Sequence, residues 1–118
     1  MHEATIAQSI LKIAATKLEE TGPAASALKI CIKVGQFRNV DEDSLNFAFD
    51  NLKGLYRGFG ACQLESQCIK TQEWCRRSHH RYNPCFENAF CCEQCGSGIG
   101  EIICGEELDF VELITEAT

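Results

Sequence analysis

Cys92-Glu93-Gln94-Cys95-Gly96 is the segment that most limits what this chain can fold into. A Cys-x2-Cys turn presents two thiols from one tight loop, and the glycine after it relaxes the backbone. Zinc takes four soft or borderline donors in a tetrahedron, so such a turn offers half of a site. The chain has 118 residues, enough for one modest core or for a small core with a metal-stapled appendage. Its nine cysteines are an odd number, no apolar signal segment precedes them, and Lys12 interrupts the long amphipathic stretch near the start. This organisation is expected of a cytosolic, thiol-reducing compartment, where closely spaced cysteines bind metal more often than they pair. A secreted disulfide framework is the competing arrangement.

The formal charge of -6 argues against nucleic acid, whose phosphates require a basic stripe. Arg76, Arg77, His79, His80 and Arg81 are the local exception, either a docking face for an acidic partner or a solvated loop. No run of about 18 apolar residues occurs, so no membrane span is expected.

Ile6, Ala7, Ile10, Leu11, Ile13, Ala14 and Leu18 recur at helical spacing and predict an amphipathic helix over residues 4–20, stopped by Thr21-Gly22-Pro23. Leu28, Ile30, Ile32 and Val34 alternate with polar residues as in a half-buried strand, with Cys31 facing outward. Asp41, Glu42 and Asp43 precede a second helix carrying Leu45, Phe47, Ala48, Phe49, Leu52 and Leu55, expected to pack across the sheet. A second strand begins at Cys62-Gln63-Leu64-Glu65 and ends before Trp74, and Leu108 to Ile114 reads as a closing strand. Helix, strand, helix, strand, cysteine insert and strand together make an α+β domain interrupted by a knuckle.

The amino terminus offers a second kind of metal chemistry. Square-planar nickel or copper favours in-plane nitrogen donors, and a free α-amine with a pKa of roughly 8 binds near neutral pH. A bulky second residue leaves Met1 in place, so the donors would be the Met1 amine, the His2 amide and imidazole, and the Glu3 amide. The competing description is a frayed, solvated chain end.

Met1-His2-Glu3, the helical pattern behind it, Gly35-x-Phe37-x-x-Val40-Asp41 ahead of the second helix, and the cysteine cluster together resemble the HypA/HybF family of hydrogenase nickel-incorporation accessory proteins. The resemblance runs nearly the whole chain. It implies two helices packed on a three-stranded mixed sheet, a nickel-binding domain over residues 1–72 and 104–118, and an inserted zinc-binding domain over residues 73–103. It implies nickel ligation at Met1, His2 and Glu3, with the Glu3 side chain a supporting group or partner contact. Asp41 either approaches that nickel or caps the second helix.

For zinc, the family's first pair begins at Cys75, just after Trp74, and the family spacing selects Cys92 over Cys91 for the second. The first pair's second member should fall at position 78, where this chain has Ser78, a hard donor that barely ionises at neutral pH. His79 is the first choice of substitute, through a Cys-x3-His spacing that turns the imidazole inward; Cys85, His80 or water are the alternatives. In the competing arrangement Cys75, Cys92 and Cys95 are metal-free thiols. Cys31, Cys62, Cys68 and Cys104 read as isolated core or surface residues.

The function implied is that of a cytoplasmic nickel metallochaperone, not an enzyme. It would pass Ni(II) to the large subunit of a NiFe hydrogenase with a HypB-type maturation GTPase, keep structural Zn(II), and act as a monomer or homodimer; urease maturation factors are further candidate partners. Gly96-Ser97-Gly98-Ile99-Gly100 follows a cysteine turn, lacks the Lys-Ser/Thr ending, and is no phosphate loop. Two other classes compete: a zinc-ribbon adaptor binding protein or nucleic acid through the Arg76 to Arg81 face, and a thiol-disulfide enzyme built on Cys92 and Cys95, which lacks a βαβ setting.

Overall fold

A computed structural model describes residues 2–84, 89–98, 100–105 and 108–117, the side chains of His2, Phe37 and Ala117 excepted. Its first helix, α1 (His2–Thr21), buries Glu3, Ala7, Ile10, Leu11, Ala14 and Leu18 at the three-and-four spacing of one helical face. Ile13 falls off that face and is 46% exposed. Gly22 ends the helix at φ 140°, where its amide still reaches the Leu18 carbonyl. The second helix, α2 (Glu42–Leu52), starts on Asp41, whose carboxylate accepts from the Asp43 and Ser44 amides and the Ser44 hydroxyl. Leu45 and Phe49, one turn apart, are its buried residues, and α2 packs against α1. Phe47 and Leu55 project to solvent instead.

Among the described residues six strands follow the order β1 (Ala25–Gly35), β2 (Gln63–Ile69), β3 (Gln72–Cys75), β4 (His80–Tyr82), β5 (Gly100–Cys104) and β6 (Leu108–Ala117). They form two three-stranded sheets, β2-β1-β6 and β4-β3-β5, giving an α+β fold with a mixed-sheet arrangement. In β1, Ile30, Ile32 and Val34 are buried as alternation requires, but Leu28 is exposed and Ala27 is buried in its stead. The break in alternation lies at Ala27, whose amide donates to the Gly58 carbonyl at 2.8 Å. The second strand inferred from sequence is two strands in different sheets. It breaks at Lys70-Thr71, where the Gln36 side chain accepts from the Thr71 amide at 2.8 Å.

By internal contacts the chain divides into two units. One is Met1–Lys33, Val40–Gln67 and Asp109–Thr118; the other is Val34–Asn39 and Cys68–Leu108. The first unit has an apolar core around Leu11, Ile30, Leu45, Phe49 and Phe59. In the second, β3 is the central strand, antiparallel to both β4 and β5. Gly105, at φ 114°, closes that sheet's exit; a Cβ there would run into the Thr71 side chain and backbone, so only glycine fits. No helix among the described residues is long and apolar enough to cross a membrane.

Candidate metal centre

Cys75 is the last residue of β3, and the turn Arg76-Arg77-Ser78-His79 returns the chain into β4. Cys75 and His80 are directly paired across the two strands. Alternation therefore puts His80 and Tyr82 on the face of Cys75, and His79 and Arg81 on the other. The second thiol pair comes from the Cys92–Cys95 turn, which is closed by the Gly96 amide on the Cys92 carbonyl (2.7 Å) and the Cys92 amide on the Ser97 carbonyl (2.8 Å). Gly96, at φ 75°, supplies the reversal.

The Sγ atoms of Cys75, Cys92 and Cys95 all lie within 4.8 Å of one another, and Cys75 and Cys95 approach to 3.4 Å. Cys75 and Cys92 are buried with Tyr82, and Cys95 packs against them. Hydrogen bonds from the Ser78 side chain, then from the Ser78 and Arg77 amides and the Cys95 thiol, lower the Cys75 thiol to about 6. A thiolate is the form that binds metal, so this donor is ready at neutral pH. Three converging thiols with amide-to-sulfur support fit zinc chemistry well.

Ser78 occupies the place of the missing fourth thiol. Its hydroxyl is 3.3 Å from the Cys92 sulfur and 2.7 Å from His80 Nδ1, and its amide donates to the Cys75 sulfur at 3.4 Å. His80 Nε2 and Nδ1 lie 3.8 and 3.9 Å from the Cys92 sulfur. His79 goes the other way: it is exposed, its backbone is left-handed at φ 56°, and its ring lies 6.4 Å from that of Trp74. Cys85 lies outside the described residues. The Cys91 thiol bonds the Ala89 carbonyl, and Cys104 bonds that of Lys70. Cys62 is buried, which pushes its thiol up to about 11 and leaves it an inert core residue. The described cysteines are free thiols. Tyr82, which closes the thiol cluster, was missed in the sequence; the available signal was its spacing of two from His80.

At the amino terminus, Met1 and the His2 side chain fall outside the description. Glu3 is 9% exposed, and its carboxylate accepts the Asp41 amide at 3.3 Å, tying the first turn of α1 to the cap of α2. Asp41 spends its own carboxylate on that cap. Of the basic residues on the knuckle, Arg76 is paired with Glu101 at 2.7 Å, while Arg77 and Arg81 are exposed.

A helical α+β unit on the same chain as a thiol-lined knuckle defines a small metal-binding protein. The family described as "Hydrogenase/urease nickel incorporation, metallochaperone, hypA" matches residues 1–115, and the chain belongs to this HypA family. The hydrogenase maturation factor HypA of Dehalococcoides mccartyi is 33% identical, covering 97% of this chain and 92% of that one. Its namesake in Acidithiobacillus ferrooxidans is 30% identical over 98% and 100%. The solution structure of the nickel metallochaperone HypA from Helicobacter pylori shares the fold with a TM-score of 0.66, at 19% identity and full coverage of both chains.

Proposed function

We propose that this chain is a cytoplasmic nickel metallochaperone that binds Ni(II) at its amino terminus and helps insert it into the large subunit of a NiFe hydrogenase. The Met1 amine, the His2 amide and imidazole and the Glu3 amide form the nickel site. Cys75, Cys92 and Cys95, with a fourth donor from the turn after Cys75, hold a structural zinc. A HypB-type GTPase supplies nucleotide turnover, and the protein itself carries metal rather than catalysing a reaction. The observation that carries this reading is the family match over residues 1–115, which takes in both the Met1-His2-Glu3 start and the cysteine cluster.

The local physics is compatible with it. Because α1 begins at His2, the His2 and Glu3 amides belong to the first turn, whose N–H groups are not used by the helix's i to i−4 ladder. Deprotonating them for nickel costs no rung of the helical ladder. The Glu3 carboxylate, held by Asp41, fixes where that first turn starts. The adaptor alternative is not favoured, since a whole-length family match leaves it nothing to explain.

Nickel titration of untagged protein, followed by visible absorption, tests the proposal against His2→Ala and an N-terminally extended form. The expected result is one equivalent with a square-planar spectrum, lost in both controls. Equal binding in all three would move nickel to the cysteines and overturn it.

A further inference from the structure

We propose that His80, not His79, is the fourth ligand of the knuckle metal, binding through Nε2 while Ser78 orients its ring. This rests on the reading of the knuckle as a zinc site. The first argument is register. Pairing of Cys75 with His80 across β3 and β4 sets their side chains on one face, the face that also buries Tyr82 against Cys75 and Cys92. His79 is one residue out of phase. Its left-handed backbone makes the reversal into β4, its amide is held by the Cys75 carbonyl at 2.9 Å, and its ring keeps company with Trp74. Turning that ring to the thiols would require dismantling the turn that places Cys75.

The second argument is distance. Zinc at about 2.3 Å from sulfur and about 2.05 Å from imidazole nitrogen puts those two donors about 3.6 Å apart in a tetrahedron. His80 Nε2 lies 3.8 Å and Nδ1 3.9 Å from the Cys92 sulfur. Among the described residues the donors that all lie within 4.8 Å of one another are the three thiols alone, so the ring must turn on its Ser78 hydrogen bond to complete the tetrahedron. The third is the partner of the other ring nitrogen. A metal-bound imidazole needs its second nitrogen fixed by a hydrogen bond. Nδ1–H faces the Ser78 oxygen at 2.7 Å, and the Ser78 hydroxyl can in turn donate to the Cys92 sulfur at 3.3 Å. The serine that replaces a thiol thus becomes the hinge on which an imidazole is hung.

Zinc content and zinc-edge X-ray absorption of the full chain, measured at one equivalent or less of zinc, test this. The native chain should bind one zinc with three sulfurs and one imidazole. His79→Gly, which keeps the left-handed backbone free of strain, should leave that signature intact, and His80→Ala should abolish it. Ser78→Ala should keep the imidazole but weaken zinc retention against a chelator by roughly 10–100-fold. Should His80→Ala fail to fold, Ser78→Cys/His80→Ala restores a fourth thiol and should bind zinc with four sulfurs, whereas Ser78→Cys/His79→Gly should match Ser78→Cys alone. An imidazole signature lost in His79→Gly, or a native site without imidazole, would overturn the assignment while leaving the zinc knuckle standing. A native chain that retains no zinc would overturn both.

Discussion

The two units of this chain are held together by different chemistry. In the first, Leu11, Ile30, Leu45, Phe49 and Phe59 are buried almost completely, each contributing about 1.5–3 kcal/mol by leaving water. In the second, the buried cluster consists of Cys75, Tyr82 and Cys92 with Cys95 beside them. The groups that would bind metal there are also the core. Strands of three to five residues bury too little to stand unaided. The difference teaches that, on the proposed zinc reading, the knuckle's stability and its metal occupancy would be one quantity, whereas the helical unit has an apolar core that is stable without metal.

Metal removal should therefore produce the largest effect and confine it to one unit. Structural zinc contributes about 10–16 kcal/mol in small cysteine-rich folds. Trp74, the chain's single tryptophan, lies in β3, while both helices lie in the other unit, so two optical probes divide along the same line. Chelation should shift Trp74 emission and strip hydrogen-exchange protection from β3, β4 and β5, with the helical far-UV signal retained. Simultaneous collapse of both signals would break the comparison.

The converse substitution comes next in size. Phe49→Ala empties the centre of the helical core and should cost about 3–5 kcal/mol. Denaturant unfolding monitored by the helical signal should move to lower midpoint while Trp74 emission and zinc content stay native. Release of zinc from Phe49→Ala would mean that the two units share one stability.

This contrast also explains what the sequence could reveal. The apolar periodicity of α1 and its Gly22 stop were legible because helix formation is local. Leu28 was not, since β1 breaks its alternation at Ala27, where the backbone bonds Gly58 some thirty residues away in sequence. Phe47 and Leu55 counted toward an apolar helix, but composition cannot say which side faces inward. In the knuckle, Cys92-x2-Cys95 announced itself because a thiol turn is a local device. The small sheet that positions Cys75 did not, because its strands are short and one of them, β5, pairs with β3 at long range. Spacing alone likewise cannot separate His79 from His80. Their faces are decided by a left-handed residue, and histidine in that conformation leaves no pattern.

The smallest expected effect sharpens the comparison from the knuckle's surface. Arg76 and Glu101 form the short pair that links the end of β3 to β5, and on geometry alone it could pass for the strut of the small sheet. Both side chains are more than half exposed, at 63% and 60%, so water and salt screen the pair. Arg76→Ala should cost about 0.2–1 kcal/mol, less at high ionic strength, with zinc content and Trp74 emission unchanged. A surface ion pair cannot substitute for a core. If Arg76→Ala instead released zinc at low salt and recovered it at high salt, charge on the turn rather than the thiols would govern the knuckle, and the division between an apolar unit and a metal-built one would have to be redrawn.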